Sequence, residues 1–139
     1  MSGDYRGRCA CGAVRYDIAA EPAFAGQCQC RDCQRATGSG HANAIAFPES
    51  AVRLTGEVRY HAATGDSGKR VERGFCPACG SPMVWKFASR PELIAILAGS
   101  LDDPGVFAPQ VVMYASRGFK WDRVDPALPS FEKLPPAAG

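Results

Sequence analysis

The seven cysteines of this chain stand in three tight clusters, Cys9-Ala-Cys11-Gly12, Cys28-Gln-Cys30-Arg-Asp-Cys33 and Cys76-Pro-Ala-Cys79-Gly80. Cysteines separated by one or two residues have metal-ligand spacing, because a short knuckle aims two thiolates at one ion. An odd count rules out a fully disulfide-paired scaffold. The opening residues, Met1 to Gly7, lack the apolar segment of a secretory leader, and the apolar stretch Leu93 to Ala98 is too short to cross a bilayer. The expected setting is the cytoplasm, where thiols stay reduced. No membrane partner is expected.

Cys76 and Cys79 form the strongest local signal. Two intervening residues let both sulfurs meet one ion, and Gly80 can take the positive φ that folds the backbone beneath it. Such a knuckle needs two more ligands. Cys9 and Cys11 are the natural second pair, and Gly12 with the Gly7-Arg8 lead-in puts them on a turn rather than in a regular strand. A closed four-cysteine site would tie residue 9 to residue 79.

Cys28, Cys30 and Cys33 remain. Three thiolates from one segment can cup a zinc ion and leave its fourth position for water, substrate or another side chain. Three readings stay open on spacing alone. The group is an open zinc centre, a second structural site closed by His41 or His61, or a partly metal-free segment with one reactive thiol.

With 139 residues, 15 Gly and 11 Pro, the chain suits one domain of all-β or loop-rich type. Strand patterns dominate. Val14, Tyr16 and Ile18 alternate with Arg15 and Asp17. Ala42 to Phe47 is an apolar run. Val52–Leu54 and Val58–Tyr60 flank Thr55-Gly56-Glu57 and predict a hairpin. Lys69 to Phe75 leads into the last cluster and Met83 to Phe87 leads out. Leu93 to Ala98 predicts a strand, with Val111 to Tyr114 as a possible partner. A short helical turn is expected over Arg31 to Thr37, ended by Gly38. Residues 4–133 form the expected domain and 134–139 a flexible tail.

Net charge is only +2, which gives no reason to expect a nucleic-acid partner. Asp102-Asp103-Pro104-Gly105 is turn chemistry rather than an acid–base pair. Ser39, His41 and Asp32 make no hydrolase triad, since no nucleophile elbow is present. Phe75, Trp85, Phe87, Phe119 and Trp121 are expected to pack in the core and around the knuckles. Lys69, Arg70 and Arg73, beside Gly65 and Gly68, form a basic stretch that is either a solvated loop or a lip attracting an anionic thiol.

Taken in order, these clusters resemble the glutathione-dependent formaldehyde-activating enzyme family. The matching residues are Gly7-Arg8-Cys9-Ala-Cys11-Gly12, Cys28-Gln-Cys30-Arg-Asp-Cys33-Gln-Arg35 with Thr37-Gly38, and Arg73-Gly-Phe75-Cys76-Pro-Ala-Cys79-Gly80-Ser81. Gly99 to Pro104, Pro109 and Trp121 are similar too. The resemblance implies small antiparallel sheets stapled by zinc in an Mss4-like fold. It implies two zinc ions per chain, a structural one on Cys9, Cys11, Cys76 and Cys79 and a catalytic one on Cys28, Cys30 and Cys33. The implied activity is a carbon–sulfur lyase reaction, in which glutathione or another thiol joins formaldehyde or a related aldehyde as in S-hydroxymethylglutathione synthase. Arg31 and Arg35, close to the middle cluster, are candidates for holding the glutathione carboxylates. The competing expectation is a non-catalytic zinc module for protein partners, which predicts two closed sites and an apolar or basic patch.

Overall fold

The structure, a computed structural model, describes residues 4–65 and 68–135. Among the described residues ten strands and one α-helix follow in chain order: β1 (Asp4–Arg8), β2 (Arg15–Ala19), β3 (Phe24–Cys28), α1 (Arg31–Thr37), β4 (Ala42–Pro48), β5 (Val52–Thr55), β6 (Arg59–Thr64), β7 (Arg70–Phe75), β8 (Pro82–Phe87), β9 (Leu93–Leu97) and β10 (Val111–Met113). A small sheet has the order β1-β2-β5, and a large one β10-β3-β4-β9-β8-β7-β6. Among the described strands every pairing is antiparallel except β10 on β3. The fold is mainly β, as expected, although one of its sheets is large and mixed.

Period-two patterning decides which faces are buried. In β2, Tyr16 and Ile18 point inward while Arg15, Asp17 and Ala19 point out. They meet Ile45, Phe47, Met83, Val84, Ile94 and Ile96 of the large sheet, with Cys9 and Cys76 buried in the same core. The opposite face of the large sheet carries a second cluster of Cys30, Cys33, Ala42, Trp85, Ala95, Leu97 and Tyr114. The large sheet therefore separates a core that holds the two sheets together from a cluster that contains the middle cysteines.

Two expected pairings are corrected. Val52–Leu54 and Val58–Tyr60 do not form a hairpin, because β5 pairs with β2 and β6 pairs with β7. Gly56, at φ 97°, marks the passage from one sheet to the other, and a Cβ there would lie 2.1 Å from the Ala13 carbonyl oxygen. Val111–Tyr114 does not pair with Leu93–Ala98, whose two edges are taken by β4 and β8. β10 instead lies parallel to β3. The C-terminal segment then borders β10, with Phe131 N–H donating to the Val112 carbonyl at 2.9 Å and Tyr114 N–H to that of Lys133 at 3.1 Å. Of the expected tail, residues 136–139 lie outside the described residues, as do residues 66–67 of the expected lip.

Gly7 illustrates how closely β1 packs against β2 and the turn after β9. A Cβ at this position would stand 2.2 Å from the Tyr16 hydroxyl oxygen and 2.4 Å from the Ser100 carbonyl oxygen. Tyr16 is buried and shares a 2.8 Å hydrogen bond with the Ser100 hydroxyl, so neither neighbour yields freely. Gly7→Ala is expected to cost about 1–3 kcal/mol, seen as a lower midpoint in denaturant with an unchanged slope.

Candidate functional site

Two knuckles from different sheets build the four-cysteine group. After β1 the chain turns through Cys9 to Gly12, with Gly12 N–H donating to the Cys9 carbonyl at 3.1 Å. After β7 it turns again, with Gly80 N–H donating to the Cys76 carbonyl at 2.7 Å. Gly12 and Gly80 have φ of 81° and 79°, the left-handed conformation expected of them. The four sulfurs lie within 4.8 Å of one another. Cys9 Sγ is 3.7 Å from Cys11 Sγ, which is 3.8 Å from Cys76 Sγ. A zinc–sulfur bond of about 2.3 Å gives a tetrahedron with an edge of about 3.8 Å, whereas a disulfide needs about 2.05 Å. The donor set therefore fits a tetrahedral soft metal. Ser81 braces both knuckles, since its hydroxyl accepts from Ala10 N–H at 3.0 Å and lies 3.2 Å from Cys79 Sγ. That hydroxyl, followed by backbone N–H groups, holds the Cys79 thiol down to about 5.

The three-cysteine group is built by one segment across a strand end and a helix start. Cys28 closes β3. Cys30 is the N-cap of α1, and its sulfur accepts from Cys33 N–H at 3.3 Å. Gly38 ends the helix at φ 73°. Because 28 closes a strand, 30 caps and 33 lies in the first turn, all three sulfurs converge within 4.8 Å. Cys30 and Cys33 are buried and Cys28 is half-buried. Hydrogen bonds from Cys28, then Cys33, pull the Cys30 thiol far below its ordinary range. Its partners move the other way. Cys28 is pushed up to about 12, mainly by the Cys30 sulfur, and Cys33 is raised by Cys28 and then Cys30.

That proton distribution has a consequence for metal loading. With the Cys30 thiol pulled down and those of Cys28 and Cys33 pushed up, an ion that takes all three sulfurs displaces protons from the latter two. Affinity at this group is expected to climb steeply with pH, about a hundredfold per unit while both thiols remain protonated. Competition with a chromogenic chelator at several pH values measures it. An affinity that does not change with pH would contradict the shared-proton arrangement.

Neither histidine joins the group. Among the described residues, the three sulfurs have no histidine or carboxylate close enough to complete a fourth ligand. His41 Nδ1 is 2.6 Å from Asp122 Oδ2, and its Nε2 faces the Gln27 amide nitrogen at 3.3 Å. His61 is exposed on β6. Arg31 is exposed and its guanidinium donates to Gln34 Oε1 and lies 6.0 Å from the Phe119 ring centroid. Arg35 is exposed in the last turn of α1.

Residues 117–122 form a strap beside α1. The Gln34 amide donates to the Gln29 carbonyl at 3.0 Å and to the Arg117 carbonyl at 3.1 Å. Phe119 and Trp121 stack at 5.8 Å with rings 8° from parallel. The expectation that the aromatics all pack inside fails here: Trp85 is 2% exposed but Trp121 is 70% exposed. The His41–Asp122 pair was also invisible in the sequence, because 81 positions separate its members. A cleft of about 570 Å³ is lined by Arg8, His41, Asn43, Ser81 and Ser100, among others. It is not the three-sulfur site. Asn43 pairs with Gln27 on one face of the β3–β4 ladder, and Cys28 pairs with Ala42 on the other.

The comparisons agree with this architecture. A crystal structure of a Rhodobacter sphaeroides protein from structural genomics superimposes with a TM-score of 0.55 and 26% identity, covering 70% of this chain and 87% of that one. No curated protein matches the chain. The model of one family, described as glutathione-dependent formaldehyde-activating enzyme, matches residues 4–117. Since that match takes in both knuckles and the whole three-cysteine segment, the chain belongs to the glutathione-dependent formaldehyde-activating enzyme family.

Proposed function

We propose that this protein is a zinc-dependent carbon–sulfur lyase that joins glutathione, or a similar thiol, to formaldehyde or a related aldehyde in the cytoplasm. One domain over residues 4–133 carries both centres. Zinc on Cys9, Cys11, Cys76 and Cys79 holds the fold, and zinc on Cys28, Cys30 and Cys33 serves the reaction. The observation that carries this reading is the three-sulfur group without a fourth cysteine, histidine or carboxylate among the described residues. The exposed Phe119–Trp121 pair fits the competing view of a protein-binding module. That view predicts a closed second site, whereas three sulfurs at a partly accessible position leave one place free.

A zinc ion there would supply an acidifying, thiolate-accepting position for the incoming thiol. The chain's own residues prepare that position. Cys33 N–H stabilises negative charge on Cys30 Sγ, and the walls of Ala42, Trp85, Leu97 and Tyr114 keep water from the buried side. Half-buried Cys28 marks the accessible side. In the overall reaction the S–H bond breaks, a carbon–sulfur bond forms, and the proton ends on the former carbonyl oxygen. Holding thiol and aldehyde together is the main contribution. Titrating cobalt-substituted protein with glutathione tests the reading. The sulfur-to-metal charge-transfer band should grow, and an unchanged spectrum would reject a free coordination position.

A further inference from the structure

The basic stretch of Lys69, Arg70 and Arg73 is divided by the fold. Arg70 is in solvent, its Nε 3.2 Å from Glu72 Oε2. Arg73 turns to the other face of β7, where its guanidinium lies over the Trp85 ring, 4.7 Å from the centroid. Its Nε is buried without a hydrogen-bond partner, the only buried cationic atom so left among the described residues. The ring face offsets part of the cost of desolvating that charge. An unpartnered buried donor on a cation still favours an anion.

Cross-strand pairing places this cation relative to the cysteines. Arg73 is opposite Trp85, Trp85 opposite Ala95, and Ala95 opposite Ala46. Paired residues share a face, as do alternate residues of one strand. Ala46, Ala44 and Ala42 therefore continue that face to Cys28, the partner of Ala42. Trp85 belongs to the same packed cluster as Cys30 and Cys33. The guanidinium and the three sulfurs thus share one face of the large sheet, over a floor of alanines. Two strand spacings, about 10 Å, separate β8 under the guanidinium from β4 beside α1. An extended three-residue peptide spans about the same length.

We infer that Arg73 anchors the carboxylate of a peptide-like thiol whose sulfur goes to the Cys28–Cys30–Cys33 group. The inference rests on the reading of that group as the thiol site and adds which thiols it accepts: carboxylate-bearing ones over neutral ones. Arg73, rather than Arg31 or Arg35, supplies the anionic contact.

Calorimetry on the zinc-loaded full chain tests it with four probes: glutathione, its diethyl ester, S-methylglutathione and 2-mercaptoethanol. Wild type should bind glutathione about tenfold or more tightly than its ester or 2-mercaptoethanol, the effect of one charge-assisted hydrogen bond. Arg73→Gln should erase that preference and leave 2-mercaptoethanol unchanged, with Arg73→Lys intermediate. Equal binding of glutathione and its ester by wild type overturns the anchor without reference to any variant, as does an equal loss for both thiols in Arg73→Gln. S-methylglutathione keeps the carboxylates but has no thiol. If it binds wild type and not Arg73→Gln while no thiol binds through sulfur, the anchor stands and the thiol-site reading fails. If wild type and Arg73→Gln bind it equally, the anchor fails.

Discussion

Cys79→Ser is expected to abolish the folded state. The four-cysteine group is the point where the two sheets are tied, because Cys9 follows β1 of the small sheet and Cys76 follows β7 of the large one. Binding of structural zinc by such sites contributes on the order of 10 kcal/mol, comparable to the whole net stability of a domain. Cys79 is the informative position. Cys76 is fully buried in the core, so replacing it mixes lost packing with lost metal. Cys79 is exposed, and serine there changes little except the sulfur. The expected result is one metal fewer, a collapsed amide spectrum and no cooperative thermal transition, reproduced in wild type by a strong chelator. A Cys79→Ser protein with a wild-type melting curve would show that this group does not hold the fold.

Cys30→Ser is expected to do the opposite. Its chemistry is lost and its fold is kept. Serine is a good N-cap, so its hydroxyl can take over the bond that Cys30 Sγ accepts from Cys33 N–H, and α1 starts as before. What disappears is the thiolate with the lowest proton affinity of the three. The variant should lose one zinc, stay within about 1–2 kcal/mol of wild-type stability, and lose all rate enhancement. If it unfolds as badly as Cys79→Ser, the middle group is structural and the enzyme reading fails.

Much of this was legible in the cysteine spacing. Pairs one or two residues apart, followed by Gly12 and Gly80, demand turns, and the positive φ at both glycines meets that demand. Helix α1 was legible for the same local reason, a stop at Gly38, whereas the cap at Cys30 came only with the structure. What failed was long-range pairing. Val52–Leu54 and Val58–Tyr60 carry strand pattern and a turn between them, and nothing local says that they join different sheets. β1 and β3 escaped notice because charges interrupt one and Gly26 the other. Trp85 and Trp121 are alike as residues, and only the tertiary fold buries one and exposes the other. Arg73 sits among basic neighbours that look solvated, and only its place opposite Trp85 puts it on the same sheet face as the middle cysteines.

In the proposed division of labour Cys28, Cys30 and Cys33 carry chemistry while the other four cysteines carry structure. Exchange between formaldehyde, glutathione and their adduct, followed by NMR with and without protein, tests it most directly. Exchange should be faster than the buffer's with zinc-loaded wild type, and equal to the buffer's with folded Cys30→Ser. Wild-type exchange no faster than the buffer's would contradict it.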